Sequence, residues 1–269
     1  MENSPRAHRL AEGASGSPLE AGLRSRAPIQ RFLVAIAALA VAGGMLTACG
    51  QSKTDFPLAT DSAAGPIVWP VPMEPMGTGM QMVTPTCTTQ PTAVQQHAAV
   101  TLVNSTVAAT QRYQSLGAAK ANGYVPITPT GLKVVHYIQA AYVNDGRALD
   151  PGAIESLVYA NTSHGAVLVA AMYTLASDQV DQMPPMPGGC LTQWHTHTNL
   201  CFSDANGAVV ATTRQGPCQP GSTNRVTQPM IHVWLVPVPG GPLTVDDDDA
   251  QVVRAAELMS PPVPRNTMA

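Results

Sequence analysis

From Tyr124 to Val238 the chain reads as short β-branched and aromatic runs, each stopped by a turn signal, and this most limits its folds. "VVHYIQAAYV" (134–143) ends at "NDG". "ESLVYA" (155–160), "NTSHG" (161–165) and "AVLVAAMYTL" (166–175) predict a hairpin. "QMPPMPGG" (182–189) is a loop by composition. "CLTQWHTHTNLCFS" (190–203), "DANG" (204–207) and "AVVATT" (208–213) predict a second hairpin. "MIHVWLVPV" (230–238) is a last strand, closed by "PGGP". Tight links of this kind join antiparallel neighbours, so the sheet is expected to be largely antiparallel.

Helices flank this region. "TAVQ" (92–95) has the form of a capping box. Val94, Ala98, Leu102, Ala109, Tyr113 and Leu116 then recur on one helical face, and Asn122-Gly123 supplies a left-handed stop. "AQVVRAAELM" predicts a short C-terminal helix after four aspartates. Those aspartates favour its positive end and lack the ligand spacing of a calcium loop. The expected class is α+β: one long N-terminal helix packed on a largely antiparallel sheet or sandwich, with a short C-terminal helix.

Export is written into the first 49 residues. Arg24, Arg26 and Arg31 precede "FLVAIAALAVAGGMLTACG", an apolar run that holds Gly43 and Gly44 and ends in small residues. That is a secretory signal rather than a membrane span. "LTAC" (46–49) resembles the lipobox of bacterial lipoproteins, which implies that Cys49 receives a diacylglycerol and becomes the mature N-terminus. The expected organisation is a signal peptide (1–48), a lipidated Pro/Met-rich tether (49–90), one α+β domain (91–260) and a tail (261–269). The implied partner is the membrane, reached through the lipid anchor on the extracytoplasmic side. With a net charge of −3 and no Lys/Arg cluster beyond residue 49, nucleic-acid binding has no electrostatic support.

Besides Cys49 there are Cys87, Cys190, Cys201 and Cys218, an even set that reads as two disulfides. If 190–203 is one extended strand, Cys190 and Cys201 lie too far apart to pair. The expected pairs are Cys201–Cys218 and Cys87–Cys190. In the tether, Met73, Met76, Met80 and Met82 fall close together. Thioethers are soft ligands suited to Cu(I), but methionine is also an adaptable packing residue, and packing is the simpler reading here.

"WHTHTNLC" (194–201) carries the chemistry. On a strand, His195 and His197 share one face, and such a pair can chelate one metal ion. His136 and His232 each stand inside an apolar strand where valine or isoleucine would be the plain choice. If those strands neighbour 194–200, His136, His195, His197 and His232 converge as metal ligands. Imidazoles suit Zn or Cu, with Fe not excluded. Glu155 is the one carboxylate worth adding. His97 and His164 read as surface residues. No nucleophile elbow or paired-carboxylate pattern is present.

The strand motifs "HYIQ", "LVYA…LVAAMY", "WHTHTNLC" and "HVWLVPVPGGP" resemble a family of secreted, actinobacterial-type proteins of uncharacterised function. Its members show an HY strand, a "LLYE…LVGVEY"-like hairpin, a "WHxH" segment and a terminal "HxWxWxPNPxGxFA"-like strand. The resemblance covers residues 92–245 and directs attention to the same four histidines. Two departures stand out. "PVPGGPL" replaces the Asn-Pro ending, and Ala160 stands where an acidic residue is expected. Three functions remain open: a lipid-anchored metal-binding module, a metal-dependent enzyme of cupin-like chemistry, and a structural or interaction lipoprotein whose histidines only pack.

Overall fold

The computed structural model describes residues 65–67, 79–85, 87–245 and 248–259. The signal segment, the lipobox with Cys49, Met73, Met76 and the tail 261–269 lie outside the described residues. The chain divides into two units, Met1–Ser52 and Lys53–Ala269, and all described residues belong to the second. Among the described residues no helix is long and apolar enough to cross a membrane.

The fold mixes helix with a large antiparallel sheet. Seven strands run in the order β1 (Met80–Met82), β6 (His195–His197), β10 (Met230–Trp234), β5 (Gly165–Thr174), β4 (Ser156–Thr162), β3 (Val134–Ile138) and β2 (Val125–Pro126). A second sheet orders β8 (Val209–Thr212), β7 (Leu200–Ser203) and β9 (Ser222–Arg225). Both expected hairpins form, β4–β5 and β7–β8, and every pairing is antiparallel. The smaller sheet is tied to both sides of the larger one. Val209 donates its N–H to Ile127 O at 2.7 Å beside β2, and Thr227 donates to His197 O at 2.9 Å on β6.

Alternation sorts the two faces of the large sheet. Val135, Tyr137, Leu157, Tyr159, Tyr173, Ile231 and Val233 point to one face and build the main core, with Leu102, Val103 and Trp194. Val134, Val158, Ala160, Ala170, Met172, Met230 and Trp234 point to the other, where α4 (Asp249–Met259) adds Val252 and Ala256. The aspartate expectation holds at Asp248, whose carboxylate accepts the Ala250 N–H at 2.9 Å in the first turn of α4.

The expected long N-terminal helix is interrupted. α1 (Ala93–Thr110) opens on the predicted capping box: Thr92 N–H donates to Gln95 Oε1 at 2.8 Å and Gln95 N–H to Thr92 Oγ1 at 3.3 Å. It then tightens into a 3₁₀ turn (Gln111–Tyr113), and the chain extends at Ser115 before α2 (Leu116–Ala121). The buried face also differs. It runs through Ala99, Leu102, Val103, Thr106 and Thr110, while Val94 is exposed. Alanine, threonine and valine on all sides leave little pattern to read, and Thr106 is buried because its hydroxyl meets Tyr173 Oη at 2.8 Å. Gly123, at φ +86°, stops α2 as expected.

Three further expectations are corrected. "VVHYIQAAYV" is not one strand: β3 ends at Ile138, and Gln139 accepts from Ala141 N to start a helical turn, α3 (Ala140–Val143). "CLTQWHTHTNLCFS" breaks into a 3₁₀ turn at Gly189–Leu191, β6 and β7, with β7 in the other sheet. Cys201 is therefore not on the strand of His195 and His197. The Pro/Met-rich segment is not wholly a tether, since it supplies β1, and Ile67 packs in the main core.

Both expected disulfides form, Cys87–Cys190 and Cys201–Cys218. They fit an oxidising, extracytoplasmic compartment. Cys87–Cys190 staples the segment after β1 beside Trp194, whose carbonyl accepts from Val83 N at 2.8 Å. It joins residues 103 apart, against 17 for the other pair. Loop-closure entropy then gives it a contribution of about 4–5 kcal/mol against about 3 kcal/mol. Replacing Cys87 and Cys190 by serine should therefore lower the thermal midpoint more than replacing Cys201 and Cys218. Equal or reversed losses in parallel melts would contradict this.

Candidate metal centre

The four histidines of the sequence analysis come together on the α4-facing side of the large sheet. His195 and His197 alternate along β6, and their ring centroids lie 5.4 Å apart. His195 stacks on His232 at 5.4 Å, and His232 meets His136 at 5.9 Å. The rings form a chain in the order 136, 232, 195, 197. Trp234 stacks on His232 at 5.3 Å and is itself pinned, its indole N–H donating to Thr244 O at 3.0 Å.

His136 sits opposite Val158, Val158 opposite Ala170, and Ala170 opposite Trp234. From β3 to β10 is three strand steps, about 14 Å in a flat sheet. The imidazoles of His136 and His232 nevertheless lie 5.9 Å apart, reaching toward each other over the two strands between. Between them on this face stand Ser156 and Ala170, which are small, and Val158 and Met172.

Burial sets the electrostatics. His195 is 0 % exposed and His232 4 % exposed, while His136 and His197 at the two ends are half-buried. Desolvation, with the neighbouring His197, lowers His136 to about 4 and His195 to about 3. Desolvation and then His195, His136 and His197 hold His232 well below the usual range. His136, His195 and His232 are therefore neutral at pH 7, the form a metal requires. His195 Nδ1 lies 3.4 Å from its nearest partner, Gln193 O, which favours the tautomer with the lone pair on Nε2. His195 Nε2 and His232 Nδ1 are buried without a hydrogen-bond partner.

The rings are contiguous but not yet convergent. Among the described residues no three His, Cys, Asp or Glu side chains already surround one metal-sized point. Two imidazoles on one tetrahedral ion have centroids roughly 5 Å apart, so the observed spacings are of the right size.

The other candidates separate from this cluster. Glu155 precedes Ser156 and so points to the opposite face, the one that holds Tyr173 and Ile231. It is 1 % exposed, and desolvation pushes its carboxyl up to about 8. His164 pairs with Glu257 on α4 at 3.6 Å, and His97 is exposed on α1. The orphaned Gln193 Oε1 and the partners of the histidines across the strands went unread in the sequence, since only register reveals them.

Comparison with protein-family models, curated proteins and solved structures finds no match.

Two opposing pH effects follow. A neutral folded carboxyl contributes stability that is full below the unfolded value near 4.3 and is lost as pH rises toward 8. Buried neutral imidazoles contribute stability that is full above about 6.5 and is lost as pH falls toward 4 and 3. Glu155→Gln removes the first effect. The variant should gain on the wild type as pH rises from 5 to 8, by several kcal/mol at most. Metal-free variant should lose stability steadily from pH 6.5 to 4. Denaturant melts across this range check both, and a pH-independent difference or a flat acid limb would contradict them.

Proposed function

We propose that the protein is a lipid-anchored, extracytoplasmic lipoprotein that binds a transition-metal ion through His136, His195, His197 and His232. The observation that carries this reading is the continuous chain of imidazoles, with two buried ring nitrogens that have no protein partner. An unmet buried polar atom costs about 1–3 kcal/mol, and a bound metal ion would satisfy these two nitrogens. An all-imidazole set suits Zn(II), Cu(II) or Fe(II). The two disulfides support the compartment, and "LTAC" before Cys49 supports the anchor. Acylation at Cys49 would hold the domain at the membrane surface by burying hydrocarbon, at about 0.8 kcal/mol per CH2.

The full chain, purified in detergent, stripped with chelator and dialysed against Zn(II) or Cu(II), should retain stoichiometric metal by elemental analysis. His195→Ala combined with His197→Ala should abolish retention. No stoichiometric metal, or unchanged metal in the double variant, would refute the reading. For the anchor, Cys49→Ser should move the protein from the membrane fraction to the soluble one and remove incorporation of labelled palmitate.

A further inference from the structure

We infer that the histidine cluster is a copper site in which methionine thioethers, led by Met82 and Met230, take part as ligands for Cu(I). This rests on the metal-binding reading above and adds the identity of the ion. The observation is the register of the strands. His195 is directly opposite Met82 on one side and Met230 on the other. His197 is opposite Met80, and His232 is opposite Met172. These are the cross-strand partners of the three histidines on β6 and β10, and all are methionine.

Directly opposed residues in an antiparallel pair share a face, with Cβ atoms about 4.5–5.5 Å apart. A methionine side chain can span that gap with torsions to spare, so register puts its sulfur within reach of the neighbouring ring. Met172 and Met230 are 4 % and 8 % exposed, and Met80 and Met82 are half-buried on the edge strand. Gln81, between them, points the other way and is exposed.

Packing alone accounts for part of this set. Met172 and Met230 belong to the apolar cluster under α4. It accounts less well for β1, a three-residue edge strand that places methionine against histidine at both ends. Valine or isoleucine suits a strand better than methionine does. Neutral imidazole with thioether is a soft donor set. It favours Cu(I) over Zn(II), which prefers imidazole, thiolate or carboxylate. The two domain disulfides leave no thiol among Cys87, Cys190, Cys201 and Cys218 to serve instead.

The test compares two ions on the full chain in detergent. Cu(I) affinity is measured under reductant mild enough to spare the disulfides, by competition with bicinchoninate. Zn(II) affinity is measured by competition with a chromophoric chelator. Met82→Leu with Met230→Leu, close to volume-conserving, should weaken Cu(I) by about tenfold or more and leave Zn(II) within about twofold. X-ray absorption of the Cu(I) form should show sulfur scattering that the double variant loses. If that variant does not fold, as judged by circular dichroism, Met82→Leu alone on the half-buried edge strand serves. Unchanged Cu(I) affinity and no sulfur shell, with metal still lost in the His195→Ala/His197→Ala variant, would overturn the copper inference and leave the metal reading standing. Failure of the wild type to bind either ion would overturn both.

Discussion

β10 lies between β6 and β5, and its pairing holds together the two parts of the sheet that carry histidine. Its alternation faces two ways. Ile231 and Val233 enter the main core, while Met230, His232 and Trp234 point to the α4-facing side. A slip of one residue would exchange these sets, burying imidazole among aromatics and turning isoleucine toward the cluster. Five consecutive pairs with β5, from Met230↔Thr174 to Trp234↔Ala170, oppose that slip. Trp234 adds a further lock, through its N–H to Thr244 O and its backbone N–H to Pro242 O.

The histidine-bearing face is energetically odd for the interior side of a sheet. It spends space on imidazoles and thioethers where aliphatic side chains would pack without polar cost. Glu155, on the other face, is a second buried ionisable group held neutral by desolvation. The difference lies in the surroundings. Glu155 is a single carboxyl that backbone N–H groups, that of Thr174 among them, partly offset, whereas the histidine rings lie in a row with centroids 5.4 to 5.9 Å apart. Proximity of several like groups raises the cost of charging any one of them, and this keeps their lone pairs free.

Much of this was legible in the linear chain. Turn signals delimited both hairpins, and the helix caps stood where "TAVQ" and Asn122-Gly123 put them. The disulfide pairs were also anticipated, although through the idea of one long strand at 190–203 that the structure divides. That strand breaks where Thr198 donates to Gly79 O at 2.7 Å and Gly79, at φ +104°, lets the Asn199 side chain lie against it. Nothing in "THTNLC" marks that contact, because its partner is more than a hundred residues away. The interruption of the N-terminal helix was hidden for a similar reason. Thr106 and Thr110 are polar by type and become interior only through the hydroxyl of Tyr173 and the helix carbonyls.

Local chemistry in the sequence determined which segments pair as hairpins and which histidines stand on strands. Periodicity and turn preference act over a few residues, so a reader of the chain has access to them. Tertiary structure alone decided that four histidines from three strands share one face and that Glu155 does not. It also decided that methionines flank the rings. Strand order and register set those relations, and both arise from packing between segments far apart in the chain.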